Sequence, residues 1–425
     1  MARPFLISGS ISLSWMLSPD ALIILGNSVG QSGIMFFTPF AIGLILSILA
    51  IVLIHHPAVT LGTGNSFTLL ATSTGLLPAM ALTLASRLCL VLLLPTGMLV
   101  TAGFSFNETF LYWFPNFAFS FLLLGIILSL HLIGNRIALV AQPIFIGLTL
   151  CCLLLLCLAG LFGPQELKLT QLESGDKFSL TIPLVFTALL LFLGYDQPSS
   201  PPSDSRKNNI WTIVAGFLLL AAWGFVSLQY VPQTKLSNST IPYIISAREI
   251  LGQPGRIIMG IAVISGTCGL VNGLFLLSSR SLQQMTDHIF LSSKGSSVLN
   301  TRIWQIIFSL FIGIFMATGL AGSEKLNIYM YGALLFWLIM IGMYCFTAAS
   351  NLQKQQRRGA QYWYLLTAVF PLAAIWLICI NPHATTLVVF CFIVLVISST
   401  ISTGLIWYHR NKINKSIQDS QGDIS

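Results

Sequence analysis

The feature that most constrains this chain is a succession of long apolar stretches, carried from one end to the other with almost no charge inside them. A helix needs about 20 mostly apolar residues to cross a bilayer. By that rule the sequence predicts twelve spans, at 17–37, 39–57, 77–104, 113–133, 137–162, 179–197, 210–231, 256–279, 303–321, 326–348, 361–380 and 384–408. The loops between them are too short to fold alone. Of the 425 residues 55% are hydrophobic and 8% charged, which excludes a soluble domain. The expected fold class is an all-α membrane protein of about twelve transmembrane helices.

The net charge of +8 reflects loop bias rather than an anionic partner. With twelve spans, one set of loops and ends carries 13 Lys and Arg and the other carries 6, with Arg87 left over. The positive-inside rule then places both termini in the cytoplasm of a cell (inner) membrane. The eight cysteines all fall in apolar segments without metal-ligand spacing, and read as small buried hydrophobes. There are no paired carboxylates, metal-spaced ligands, nucleophile elbow or phosphate loop, so neither an enzyme nor a cofactor, metal or nucleic-acid site is expected.

Two interruptions stand out. Gly26 to Pro39 places three glycines and the polar residues Asn27, Ser28, Gln31, Ser32 and Thr38 inside an apolar region. Unwound backbone at membrane depth is tolerated only where it is buried in protein or lines a wet cavity. The alternative is a small-residue face for close helix packing. The sixth span ends in Gly194-Tyr195-Asp196, followed by Pro198, Pro201 and Pro202. A carboxylate there is either an interfacial cap or a functional group, since ionisable residues within membranes are rare. The two interruptions lie one five-helix unit apart, the pattern of an inverted repeat whose broken helices face each other. The implied organisation is 17–162 for one repeat, 179–348 for the other, 361–408 for two further helices and 409–425 for a cytoplasmic tail.

The Gly/Ser-rich first span, Phe192-Leu193-Gly194-Tyr195-Asp196, and the eighth-span run Ser265-Gly266-Thr267-Cys268-Gly269-Leu270-Val271-Asn272-Gly273 together resemble the amino acid–polyamine–organocation superfamily. Arg206-Lys207 before the seventh span adds to the likeness. The resemblance implies a LeuT-like five-plus-five inverted repeat with helices 1 and 6 broken, working by alternating access. It implies a substrate carboxylate held by first-span amides at Ser32, Gly33 and Ile34, and an amino group held by the sixth span, where Phe192, Leu193 and Tyr195 would supply carbonyls or a lining side chain. Gln31 replaces the usual first glycine of the family's Gly-Ser-Gly-Ile. Matching Gly26-Asn27-x-x-Gly30 to the family's antiporters instead shifts the register by one. The substrate-site expectation therefore comprises Asn27, Gly30, Gln31, Ser32, Gly33, Ile34, Phe192, Leu193, Gly194, Tyr195, Asp196 and Asn272.

The expected function is a permease moving amino acids or related amines, in symport or antiport, with H+ or Na+ as a possible coupling ion. The alternative is a non-transporting sensor or scaffold of the same fold. Asp20 reads as a cap of the first helix, with proton coupling as the other reading. Arg87 reads either as a snorkelling side chain or as a counter-charge in the pathway. Asn272 either bonds unwound backbone or fills a packing notch. Ser265 and Thr267 could join a sodium site, although hydroxyls in membrane helices usually bond their own backbone. The fifth span has no lysine to replace a sodium ion.

Overall fold

A computed structural model of the chain describes residues 4–61, 66–163, 181–193, 202–290, 301–319, 323–354 and 360–422. Among these residues every regular element is helical. In chain order they are α1 (Pro4–Met16), α2 (Pro19–Ser32), α3 (Phe37–Leu61), α4 (Ser66–Thr74), α5 (Leu76–Leu88), α6 (Leu94–Thr109), α7 (Asn116–Ile133), α8 (Asn135–Phe162) and α9 (Thr181–Leu190). There follow α10 (Pro202–Tyr230), α11 (Gln233–Ser237), α12 (Pro242–Leu251), α13 (Gln253–Phe290), α14 (Thr301–Ala317), α15 (Ser323–Lys354), α16 (Ala360–Ile380) and α17 (Ala384–Gly422). Nine stretches among the described residues are long and apolar enough to cross a membrane. Leu6–Met16 and Thr301–Ala317 are shorter apolar helices.

The helices match the hydropathy reading closely except at the first span. That span begins at Pro4, not near residue 17, and it is two half-helices, α1 and α2, parted at Leu17-Ser18. Ser8, Ser10, Ser12 and Ser14 dilute the hydropathy of α1, yet all four are buried. The Gly26–Pro39 stretch is the end of α2, a 3-10 turn at Gly33–Phe36 and the start of α3. Gly33 ends α2 with φ +59°, a conformation glycine adopts without the clash a side chain brings. The third span, α5 and α6, widens into a π turn at Cys89–Leu93. Pro95 lies two residues beyond it; it has no N–H for the carbonyl four residues back and its ring crowds that carbonyl.

Burial separates centre from periphery. The helices α13 and α15 bury most of their surface, whereas α16 and the apolar part of α17 bury little. Their exposed Leu, Ile, Val and Phe side chains suit a hydrocarbon surround, where helix association rests on close packing and polar contacts. The cysteines follow the same division: Cys151 and Cys379 are exposed rather than buried, and the other six are buried or half-buried. At one end of the bundle α11 and α12 pack over α2; at the opposite end lie the starts of α1, α8 and α14.

Candidate functional site

The break in the first span is built by three consecutive residues. Ser18 is extended, at φ −73° and ψ 156°, and its hydroxyl accepts from Ala21 N at 3.2 Å. Pro19, the first residue of α2, has no N–H to leave unpaired and disfavours helix in the residue before it. Asp20 lies in the first turn, where a carboxylate suits the positive end of the helix dipole. Leu22 N bonds Ser18 O at 3.1 Å. Of the first amides of α2, Ala21 and Leu22 are thus already bonded and Pro19 has none. Asp20 was expected to cap the first helix; the cap is Ser18, Asp20 lies in the first turn behind it, and that helix starts at the break, partway through the first span.

The sixth span meets this break. The end of α9 tightens through Leu191 N to Ala188 O, 3.0 Å, and Phe192 N to Leu189 O, 3.0 Å. The indole of Trp15, on the last turn of α1, donates to Leu190 O at 2.6 Å. Trp15 and Leu190 are both buried. This bond ties one half-helix end directly to the other broken span. From the other side α13 closes on the break: a Cβ at Gly266 would lie 2.6 Å from Leu17 O. Thr149 on α8 and Ser265 on α13 share a 2.8 Å contact beside it. Each also lies within reach of a carbonyl of its own helix, Thr149 of Phe145 O at 3.0 Å and Ser265 of Ile261 O at 2.8 Å, so one hydroxyl donates across and the other within its helix; Thr267 donates to Val263 O at 2.9 Å.

Asp20 is 3% exposed, and its Oδ2 reaches no hydrogen-bond partner among the described residues. Close enough to interact with its charge is Tyr243, on the short helix α12, whose hydroxyl contacts Ser105 Oγ at 3.0 Å. Burial raises the Tyr243 pKa; the Ser105 hydroxyl works against this and Asp20 adds to it. A lone buried carboxylate is costly unless a cation, a proton or a donor completes it.

The residues picked from sequence are placed as follows. Gly26, Asn27 and Gly30 form one face of α2, pressed against α11 and α12. A Cβ at Gly26 would lie 2.6 Å from Pro242 Cγ, and one at Gly30 would collide with Leu236 and Ser237. With its amide turned to suit its neighbours, Asn27 donates to Leu236 O at 2.8 Å and Ser239 O at 3.0 Å. The small-residue packing alternative therefore describes this face. Gln31 and Ile34 are exposed at the turn, and Ser32 Oγ returns to Ser28 O at 2.6 Å. Gly33 supplies the turn itself. None of these seven lies at the Leu17-Ser18 break. Phe192 and Leu193 are at the α9 end beside it; the Phe192 ring stacks on Phe40 at 5.4 Å. Gly194, Tyr195 and Asp196 lie outside the described residues. Asn272 bonds Ala138 O at 3.0 Å and Gln142 Oε1 at 2.7 Å, not the break. Arg87 is half-buried in the last turn of α5, just before the π turn.

Sequence reasoning missed Trp15 and Ser18. The signal was available in Ser18-Pro19-Asp20, an N-cap, a first-position proline and a first-turn acid inside an apolar run.

No protein-family model matches this chain, and no curated protein matches it. Solved structures do. The chain is similar to a manganese transporter of Eremococcus coleocola in complex with an aromatic bis-isothiourea substituted compound. The identity is 10% and the TM-score 0.55, over 97% of this chain and 94% of that one. It is also similar to a Na+-coupled sialic acid symporter in a substrate-bound outward-open state, at 12% identity and TM-score 0.58, over 88% of each chain. At these identities the likeness establishes the fold. The chain is a multi-pass helical membrane protein of the LeuT-like fold, a five-plus-five inverted repeat with broken helices.

Proposed function

We propose that the chain is a secondary transporter of amino acids or related amines, acting by alternating access, with an amine group as the feature it recognises. The observation that carries this is the first-span break, with Asp20 in the first turn of α2 and the end of α9 across from it. A half-helix N-terminus in such a fold is suited to a substrate carboxylate. Here that position already holds a carboxylate of the protein, and the neighbouring amides are bonded to Ser18. A buried carboxylate at the break calls for a cationic partner or a proton. The site thus favours an amine, or an amino acid bound through its amine, over an anionic solute. Among the described residues no three His, Cys, Asp or Glu side chains converge, so the donor set suits an organic cation better than a divalent metal. No chemistry is performed on the cargo. The 13-to-6 bias of basic residues supports cytoplasmic termini in a cell (inner) membrane.

The test is a thermal-shift series on the purified protein, pairing each amino acid with its decarboxylated amine and including Mn2+ as a separate arm. A ligand at a hundred times its Kd stabilises by about 2.7 kcal/mol. The amine of a pair is expected to stabilise more than the amino acid, and Asp20→Asn to remove the effect. An amino acid that outperforms its amine would overturn the role given to Asp20. Stabilisation without flux in proteoliposomes would favour the sensor or scaffold alternative.

A further inference from the structure

His131, in the last turn of α7, is fully buried. Its ring faces the side-chain amide of Asn272 on α13 and packs on Phe275, centroids 5.6 Å apart. Neither ring nitrogen nor Asn272 Oδ1 meets strict hydrogen-bonding geometry with a described residue. From Asn272 a line of amides leads to α1. Asn272 Nδ2 donates to Gln142 Oε1 at 2.7 Å, and Gln142 Nε2 reaches Ser10 O at 3.5 Å. Gly273 keeps the crossing open, since a Cβ there would lie 3.1 Å from Gln142 Nε2. A second arm runs the other way. One turn past His131, Asn135 donates to Thr301 at 3.1 Å and accepts from Gln305 at 3.3 Å, and Gln305 also reaches Ser279 at 3.5 Å. Buried polar groups left unbonded cost about 1–3 kcal/mol each, so a packing that keeps several together has a use for them or fills them with water.

We infer that His131 is a proton-binding site coupled to the docking of α1 through Asn272 and Gln142. The inference names a coupling ion for the transport cycle proposed above and rests on that reading. Imidazole changes charge between about pH 5 and 8. The charged residues near this end on the elements packed against α7 are Arg136 on α8, Arg280 on α13 and Arg302 on α14, and all three are exposed. On α6 the charge is Glu108, at the other end and 3.6 Å from Arg256. No carboxylate among the described residues faces the ring, so an imidazolium in this packing meets no compensating charge. It would be a donor at both nitrogens. Asn272 Oδ1 is the acceptor at hand, and turning toward the ring takes the Asn272 amide away from Gln142. Gln142 then loosens from Ser10, and α1 from α8. Protonation therefore favours release of α1.

The test is hydrogen–deuterium exchange of the intact protein in nanodiscs at about pH 5.5 and 7.5, with labelling times scaled for intrinsic exchange. Peptides of α1 are followed, with α16 as internal control. Exchange in α1 is expected to be several-fold faster at the lower pH in the wild type and equal at both in His131→Gln. A second variant, Asn272→Leu, is expected to abolish the pH response by cutting the line. A wild type with no response in α1, or a response kept in His131→Gln, overturns the inference. The readout needs no substrate, so a failed transport assay would not be mistaken for failure of the proton site.

Discussion

Gly30→Ala tests whether the glycine-rich end of α2 is a packing face or a binding break. An added Cβ would lie 2.8 Å from the Leu236 carbonyl carbon and from Leu236 Cβ, and nearer still to Ser237 N. Ordinary contact begins at about 3.4 Å and Ser237 N would lie nearest of all, so α11 must retreat by roughly 1 Å. The obstacle is backbone and cannot rotate aside. Overpacking of this kind costs about 1–3 kcal/mol, and alanine returns up to about 1 kcal/mol through helix propensity. The two Asn27 bonds to the same segment would stretch as well, at about 0.6 kcal/mol each in a membrane protein. The expected net loss is about 1–3 kcal/mol. Gly147→Ala on α8 is the control, because nothing lies within 4 Å of its Cβ position. Thermal unfolding should rank Gly30→Ala clearly below Gly147→Ala, and exchange in peptides covering 233–251 should rise only in Gly30→Ala. Equal melting temperatures with unchanged exchange at 233–251 would refute the contact and reopen Gly30 as part of a binding break.

Two further substitutions probe the break itself. Trp15→Phe keeps an aromatic ring, though a smaller one, and removes the donor to Leu190 O; it should lower stability by about 1 kcal/mol or more, read as a fall in melting temperature, and no fall would mean the two broken spans are not joined there. Gly266→Ala places a methyl 2.6 Å from Leu17 O; it should displace the break and weaken any ligand-induced thermal shift by tenfold or more in apparent Kd, about 1.4 kcal/mol or above. An unchanged Kd would separate the break from the ligand.

The twelve-span architecture was legible because hydrocarbon imposes one rule on every segment: apolar outside, helical throughout. Eleven of the twelve stretches read from hydropathy coincide with described helices to within a turn or two at most of their ends. The sixth continues past Leu193, beyond the described residues. The first span was shifted because a lipid rule was applied to a half-helix that does not face lipid. Its serines at 8, 10, 12 and 14 are turned into protein, where Ser12 lies 3.3 Å from Asn209 Oδ1 and the Ser10 carbonyl meets Gln142.

The break was misplaced for a related reason. Glycine inside a membrane helix costs only about 1 kcal/mol relative to alanine, while releasing backbone groups into hydrocarbon costs several. Glycines alone therefore leave a membrane helix intact and thin its surface, as Gly26 and Gly30 do under α12 and α11. Ending a helix requires that its orphan N–H groups be answered. Ser18, Pro19 and Asp20 do this in three residues: one hydroxyl acceptor, one residue without a donor and one charge matched to the dipole. The partners of the break were beyond the reach of such local reading, because Trp15 meets Leu190 across 175 positions and Asn272 meets Gln142 across 130. What the sequence does offer is the complement of that rule. A capping triplet within an apolar run locates where a span opens, and the polar side chains buried around it then mark what the opening is for.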